Sequence, residues 1–358
     1  MNELIFNLII IIPVAGFIIE RYLDHLNSKM WSDVLPAKLS GICDSNGYRK
    51  SQLYEKENKR LALWSSSFNL LIMLLMIILG GFALVDDFAR EFSQNVILIA
   101  LLFFAVIGFG SDVINIPFSF YDNFIIEKKY GFNTMTIRTF ITDHFKSWFI
   151  AILIGGPVLG LITWFYYTSG KNFWLYAWGL ITLFSIFINF FYSELIVPLF
   201  NKQVPLQEGE LRSKIEEFAK KTGFRLKNIY VIDGSKRSTK ANAYFAGFGP
   251  KKRIVLYDTL QKELSDDEIV AVLAHEIGHF KMKHVTTGFF MITALNLGIM
   301  YLLNLFLSKP EFAGALGMEP SLHASLLVFA LLFSPVSTIM GIASNVISRR
   351  HEYAADRF

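Results

Sequence analysis

The sequence predicts a mostly α, polytopic membrane protein of seven transmembrane helices, with a small α+β domain inserted between the fifth and the sixth. Three observations predict it. Of 358 residues, 53% are hydrophobic and only 18% charged, against roughly 25% charged in ordinary soluble domains. The apolar residues gather in runs of roughly 18 to 25, the length that spans a bilayer as a helix. One polar block, 200–285, interrupts the runs with helix-like and strand-like periodicities.

The runs lie at 3–20, 61–85, 96–118, 147–167, 173–199, 286–307 and 322–347. The first is read as a retained helix, kinked at Pro13. Asn2 and Glu3 give it no basic start, and no small-residue cleavage site follows before Glu20 and Arg21. Lys and Arg set the orientation. The first connection carries Arg21, Lys29, Lys38, Arg49, Lys50, Lys56, Lys59 and Arg60, and the third Lys128, Lys129, Arg138 and Lys146. The second, fourth and sixth hold only Arg90, Lys171 and Lys309. The N-terminus is therefore expected outside, with the 200–285 block and the C-terminus in the cytoplasm. The expected organisation is helices one to five in 1–199, a soluble insert in 200–285, helices six and seven in 286–347, and a terminal segment, 348–358.

A single cysteine, Cys43, excludes a disulfide within the chain and cysteine-based zinc fingers. The net charge of +4 comes without a Lys/Arg block, which sets nucleic-acid binding aside. No internal repeat is evident.

Within the insert, Leu211, Ile215, Phe218 and Ala219 share one helical face. Residues 228–233 and 253–258 read as strands, and 241–249 as another with a glycine-rich exit. Ser265 and Glu268 form a capping box, with Asp266 and Asp267 in the first turn. The helix that starts there carries His275, Glu276 and His279, an H-E-x-x-H motif.

Residues four apart on a helix project together, so His275 and His279 can hold one zinc ion at roughly 2.0–2.1 Å. Glu276 lies beside that face, where it can act as general base on a metal-bound water. Zinc needs a third protein ligand. If the helix continues, His284 lies about 140° around the axis from His279, so it is read as an interfacial residue that faces elsewhere. The seventh run ends on the same membrane side with Glu352 and Asp356, four apart. Glu352 as third ligand would complete a His2Glu site with an open position. Asp356 would orient a ligating imidazole from behind.

The motif, the later "RRHEYAAD", "ANAYFAGFG" followed by "KRIVLYDTL", "ELIVPLFNK" at 194–202, "IEKKYGFNTMT" at 126–136 and "TDHFK" at 142–146 together resemble the type I CAAX prenyl endopeptidases. These are integral-membrane zinc metalloproteases, and the resemblance runs in order along essentially the whole chain. It implies one zinc per chain at His275, His279 and Glu352, with Glu276 as base and Asp356 behind the ligands. It implies a zinc-protease domain on the cytoplasmic side, capping seven helices around a water-filled chamber. It also implies a peptide or protein substrate, prenylated in the family, bound as an added strand with Asn242, Ala243 and Tyr244 near it. The polar residues Asp112, Asn115 and Asn189 within runs agree with a cavity or with helix–helix hydrogen bonds. For the asparagines the second reading is favoured. The family continues past this point with a helix whose histidine steadies the transition state. This chain stops two residues after Asp356, so a partial chain is expected.

The expected function is a membrane-embedded zinc metalloendopeptidase that cleaves near the C-terminus of CAAX-type substrates. Three alternatives stay open: a broader membrane-protein or small-peptide protease, a transporter or channel with an incidental motif, and an intramembrane site-2-type protease. The last needs its motif inside a span and an aspartate ligand in another, often in an L-D-G setting; the sequence has no L-D-G, and this motif precedes its span.

Overall fold

Apolar helices dominate a computed structural model of the chain, which describes residues 2–224, 228–246, 253–307 and 309–358. Among the described residues, five helices are long and apolar enough to cross a membrane: Glu3–Ser28, Ser45–Ile78, Val96–Tyr130, Ile137–Phe200 and His284–Leu307. Leu322–Leu332 and Ser334–Asp356 make a sixth if this pair, bent by 58°, counts as one. Pro335 explains the bend, because it lacks the N–H that would continue the ladder. Ile137–Phe200 is 64 residues long, about three times what one crossing needs. A tight turn at Gly170–Asn172 interrupts it, with Gly170 at φ +54°. The expected second run, 61–85, is also divided. Its helix ends at Ile78, Gly80 turns at φ +71°, and an amphipathic helix follows at Gly81–Phe92.

The chain divides into two compact units. The first comprises Met1–Gly131, Gly155–Lys171 and Leu302–Ile339. Its core gathers Ile9, Ile77, Phe82, Phe103, Leu316 and Val328. Asn69 and Asn115 exchange side-chain hydrogen bonds of 2.8 and 3.1 Å between two apolar helices. Asn115 is thus a helix–helix contact, whereas Asn189 bonds back to the Ser185 carbonyl of its own helix. Beside the core, Asp86 is 1% exposed and His323 2%. The Asp86 carboxylate accepts from His323 Nε2 at 2.7 Å and from Arg90 Nε at 3.1 Å. Burial alone would raise the Asp86 carboxyl, but the bonds from His323 and Arg90 outweigh it and hold the group below its ordinary value.

The second unit comprises Phe132–Ile154, Asn172–Tyr301 and Met340–Phe358. It holds a four-stranded sheet in the order β1-β2-β4-β3. The strands are β1 (Gln203–Pro205), β2 (Asn228–Ile232), β3 (Ala243–Ala246) and β4 (Arg253–Tyr257). β1 was not expected, being too short for a period. Residues 247–249 of the expected third strand lie outside the described residues. β2 and β4 run parallel, while β1 on β2 and β3 on β4 are antiparallel. On one face, Ile229, Ala243, Ile254 and Leu256 pack against Ile269 and Leu273 of the motif helix, Asp266–Lys281. The capping box starts that helix as expected, with Glu268 accepting from the Ser265 N–H at 2.8 Å. The helix Glu210–Lys221 buries Ile215 and Ala219, two of the four residues read as its face. On the other face of the sheet, Val255 and Ile232 pack with Val197, Tyr244 and Tyr257.

The last helix, Ser334–Asp356, crosses the motif helix at Gly278. A methyl group there would lie 3.1 Å from the Ala355 carbonyl oxygen and 3.1 Å from Phe358 Cβ. Those neighbours include backbone, so they cannot turn aside as a flexible side chain would.

Two outcomes are expected. Helix propensity alone makes Gly278→Ala stabilising by about 1 kcal/mol, whereas the crossing makes it destabilising by about 1–3 kcal/mol. Thermal unfolding in detergent distinguishes the signs. Asp86→Asn breaks a buried charged cluster and should cost about 3 kcal/mol at neutral pH. Because the folded group titrates below its unfolded value, its contribution is full above roughly pH 4 and fades as pH falls below it. The melting-temperature gap between Asp86→Asn and the parent should therefore narrow from pH 7 to pH 3.

Candidate metal centre

Helical spacing brings the two motif histidines together. His275 Nε2 and His279 Nε2 lie 3.1 Å apart. The last helix supplies Glu352, whose Oε2 is 3.3 Å from the first nitrogen and 3.4 Å from the second. Tetrahedral ligands with metal bonds of roughly 2.0–2.1 Å sit about 3.3 Å from one another. The three atoms thus already stand at the edges such an ion requires. Among the described residues they form the one group of His, Cys, Asp or Glu side chains so placed. Two neutral imidazoles and a carboxylate are also the donor set expected of zinc.

The remaining ring nitrogens have partners as well. His275 Nδ1 lies 2.8 Å from Asp356 Oδ1, so the carboxylate can accept its proton and fix Nε2 as the unprotonated nitrogen. Asp356 is one turn beyond Glu352, and the seating of Ala355 on Gly278 brings both turns to the same place. His279 Nδ1 lies 3.1 Å from Nδ1 of His284, where no contact was expected. The expectation assumed an unbroken helix. The motif helix ends at Lys281, Lys283 turns at φ +59°, and a new helix starts at His284. Among the described residues Lys283 is the one non-glycine with positive φ, a conformation uncommon outside glycine. This turn swings His284 back over the motif. Its ring stacks on His351 with centroids 4.0 Å apart and planes 7° apart.

Glu276 is partly buried beside the two histidines. Burial pushes its carboxyl up, His279 and His275 pull it part of the way back, and the charge of Glu352 raises it further.

Of the three residues expected near a substrate, Asn242 and Tyr244 behave differently from Ala243. The Asn242 carbonyl accepts from the Tyr257 N–H at 3.0 Å. Antiparallel alternation then turns the main chain of Ala243 and Phe245 toward the edge that β4 does not occupy. The Ala243 N–H is held by Asn242 Oδ1 at 2.8 Å. Asn242 and Tyr244 line a cavity of about 480 Å³ together with Tyr192, Asn201, Arg237 and Tyr257. It opens on the sheet face opposite the motif helix. Arg237 there is locked in a two-pronged pair with Asp143, at 2.7 and 3.0 Å. Beyond Asn242 and Tyr244 the sequence reading missed this wall, along with His351 and the close approach at Gly278, and it placed His284 away from the motif. Gly278 lies within the motif but its role comes from the tertiary contact with Ala355, and only tertiary contact brings the others to their places, so no local period marks them.

Residues 24–202 match the family described as CAAX prenyl protease N-terminal, five membrane helices. Residues 205–358 match peptidase family M48. A probable CAAX prenyl protease 1 of Schizosaccharomyces pombe is 34% identical over 97% of this chain and 78% of its own length. The CAAX prenyl protease 1 homolog of mouse is 29% identical over 99% of this chain and 85% of its own. The crystal structure of S. mikatae Ste24p superposes with a TM-score of 0.93 at 32% identity, covering 99% of this chain and 87% of that one. The chain is a membrane protein of peptidase family M48, in the CAAX prenyl protease group.

Proposed function

We infer that the chain is a membrane-embedded zinc metalloendopeptidase that hydrolyses peptide bonds near the C-terminus of prenylated CAAX-type substrates. The observation that carries this reading is the triangle of His275, His279 and Glu352 at tetrahedral edge distances. The names of the relatives support the substrate class. His275, His279 and Glu352 would hold the metal, which supplies a Lewis acid for water and carbonyl activation. Asp356 keeps the His275 ring in the tautomer that presents Nε2. Glu276 takes a proton from the attacking water and returns it to the leaving nitrogen. The peptide adds as a strand along β3, where the outward carbonyl of Ala243 and the outward main-chain groups of Phe245 supply hydrogen bonds without demanding particular side chains.

The same reading counts seven crossings, with Ile137–Phe200 turning back at Gly170–Asn172 and so crossing twice. The basic first and third connections orient the site and the C-terminus to the cytoplasm. Residues 200–285 and 348–358 are then the two parts of the catalytic domain, and 1–199 and 286–347 the membrane part.

Glu276→Gln should lose on the order of 10²- to 10⁴-fold in peptide hydrolysis while keeping about one zinc per chain by elemental analysis. His275→Ala should lose the zinc as well. Full activity in Glu276→Gln, or a zinc-free parent, would sink the reading. Farnesylated and unmodified versions of one CAAX peptide test the substrate class, with cleavage expected after the modified cysteine.

A further inference from the structure

His284 and His351 have no part in the reading above, yet they stand directly behind the metal centre. A histidine that ligates a metal through Nε2 carries its proton on Nδ1, and that proton needs an acceptor. For His275 the acceptor is the Asp356 carboxylate. For His279 the atom facing Nδ1 is Nδ1 of His284, 3.1 Å away. Two nitrogens at that separation make a hydrogen bond only if one carries the proton and the other does not. With His279 as donor, His284 is neutral, unprotonated at Nδ1 and protonated at Nε2.

We propose that His284 is a positioning residue for the metal centre, accepting the His279 Nδ1–H and thereby setting that ligand's tautomer and ring angle. The inference rests on His275, His279 and Glu352 being the metal ligands. Two features hold His284 in this role. The turn at Lys283, φ +59°, points it back at the motif helix. Its ring then lies flat on His351, at 4.0 Å and 7°. His351 immediately precedes Glu352 on the last helix. One stacked pair therefore braces both sides of the site: the imidazole behind His279 and the turn that carries Glu352.

The test uses the full chain in detergent, with zinc itself as the probe. Zinc affinity is measured by competition with a chelator for the parent, His284→Phe and His284→Asn. Phenylalanine keeps a ring to stack on His351 but has no acceptor. Asparagine loses the ring but can place Oδ1 near the position of Nδ1. His284→Phe should weaken zinc binding about 10- to 100-fold, and His284→Asn should recover most of that loss. A role in packing alone gives the reverse order. An affinity within about twofold of the parent in His284→Phe overturns the inference, as does an equal loss in both variants.

A second readout needs no change in affinity. In the cobalt-substituted parent, the Nδ1 protons of His275 and His279 give two paramagnetically shifted, exchangeable NMR lines. Replacement of His284 by Phe should speed solvent exchange of one line and leave the other unchanged. Identical exchange in parent and variant overturns the inference. If His284→Phe does not fold, His351→Ala, which leaves the acceptor in place and removes its brace, should still speed exchange of that line, and no change there overturns it. A parent that binds no zinc defeats the metalloprotease reading itself. A parent that binds zinc with His284→Phe unchanged defeats only the role of His284.

Discussion

The triangle of His275, His279 and Glu352 depends on one helix crossing that has no room for a side chain. Gly278 lets the backbone at Ala355 sit where a methyl group would meet the carbonyl oxygen at 3.1 Å. Ala355 is 2% exposed there. One turn before it stands Glu352, and just after it Asp356. The first reaches Nε2 of both histidines and the second reaches Nδ1 of His275. A single contact therefore positions both the Glu352 carboxylate against the two histidines and the Asp356 carboxylate behind His275. Displacing the crossing by a few tenths of an ångström would move both together.

The motif helix can accept this crossing because its faces are divided among separate tasks. At 100° per residue, Ile269, Leu273 and Ile277 form one strip, and all three are 1% exposed or less. Ile269 and Leu273 lie against the sheet, and Ile277 against Ala219 and Phe224. His275 and His279 face away from that strip, with Gly278 about 100° to one side of His279 and Glu276 on the other. Glu276 and the close approach thus flank the histidine strip without competing for it. The fixed sheet face gives the helix its depth, and the capping box gives it its start.

Local chemistry explains what could be read in the sequence. The capping box, the strands at 228–233 and 253–258 and the i,i+4 histidine pair are short-range patterns, and each appears with little change in its limits. The meeting of Glu352 with the histidines was legible too, because the expected topology returns the last helix to the motif's side. What could not be read depends on departures from regularity or on distance along the chain. The angle assigned to His284 holds only while the helix continues, and Lys283 ends it. Nothing in the sequence demands a left-handed lysine. The bend at 58° divides a run that reads as one helix. Asp86 and His323 are 237 residues apart and carry no shared motif. Gly278 looks like any middle residue of H-E-x-x-H until the Ala355 backbone is against it.

The two motif histidines face different groups at Nδ1, Asp356 for His275 and His284 for His279, and on the proposed metal-binding reading charge gives a reason for the difference. Glu352, Asp356 and Glu276 already place three carboxyl groups around the site, and Glu352 raises the carboxyl of Glu276. Against a dication, two ionised carboxylates balance and a third leaves an excess of one negative charge. A carboxylate behind His279 would add another within reach of Glu276 and make its ionised form still harder to hold. A neutral imidazole at His284 can fix the same tautomer while adding no charge. Its stack on His351 supplies the orientation that an exposed carboxylate would have to gain from charge alone. On the proposed reading, the asymmetry of Asp356 and His284 is thus the arrangement in which both histidines are oriented and Glu276 keeps its capacity to act as a base.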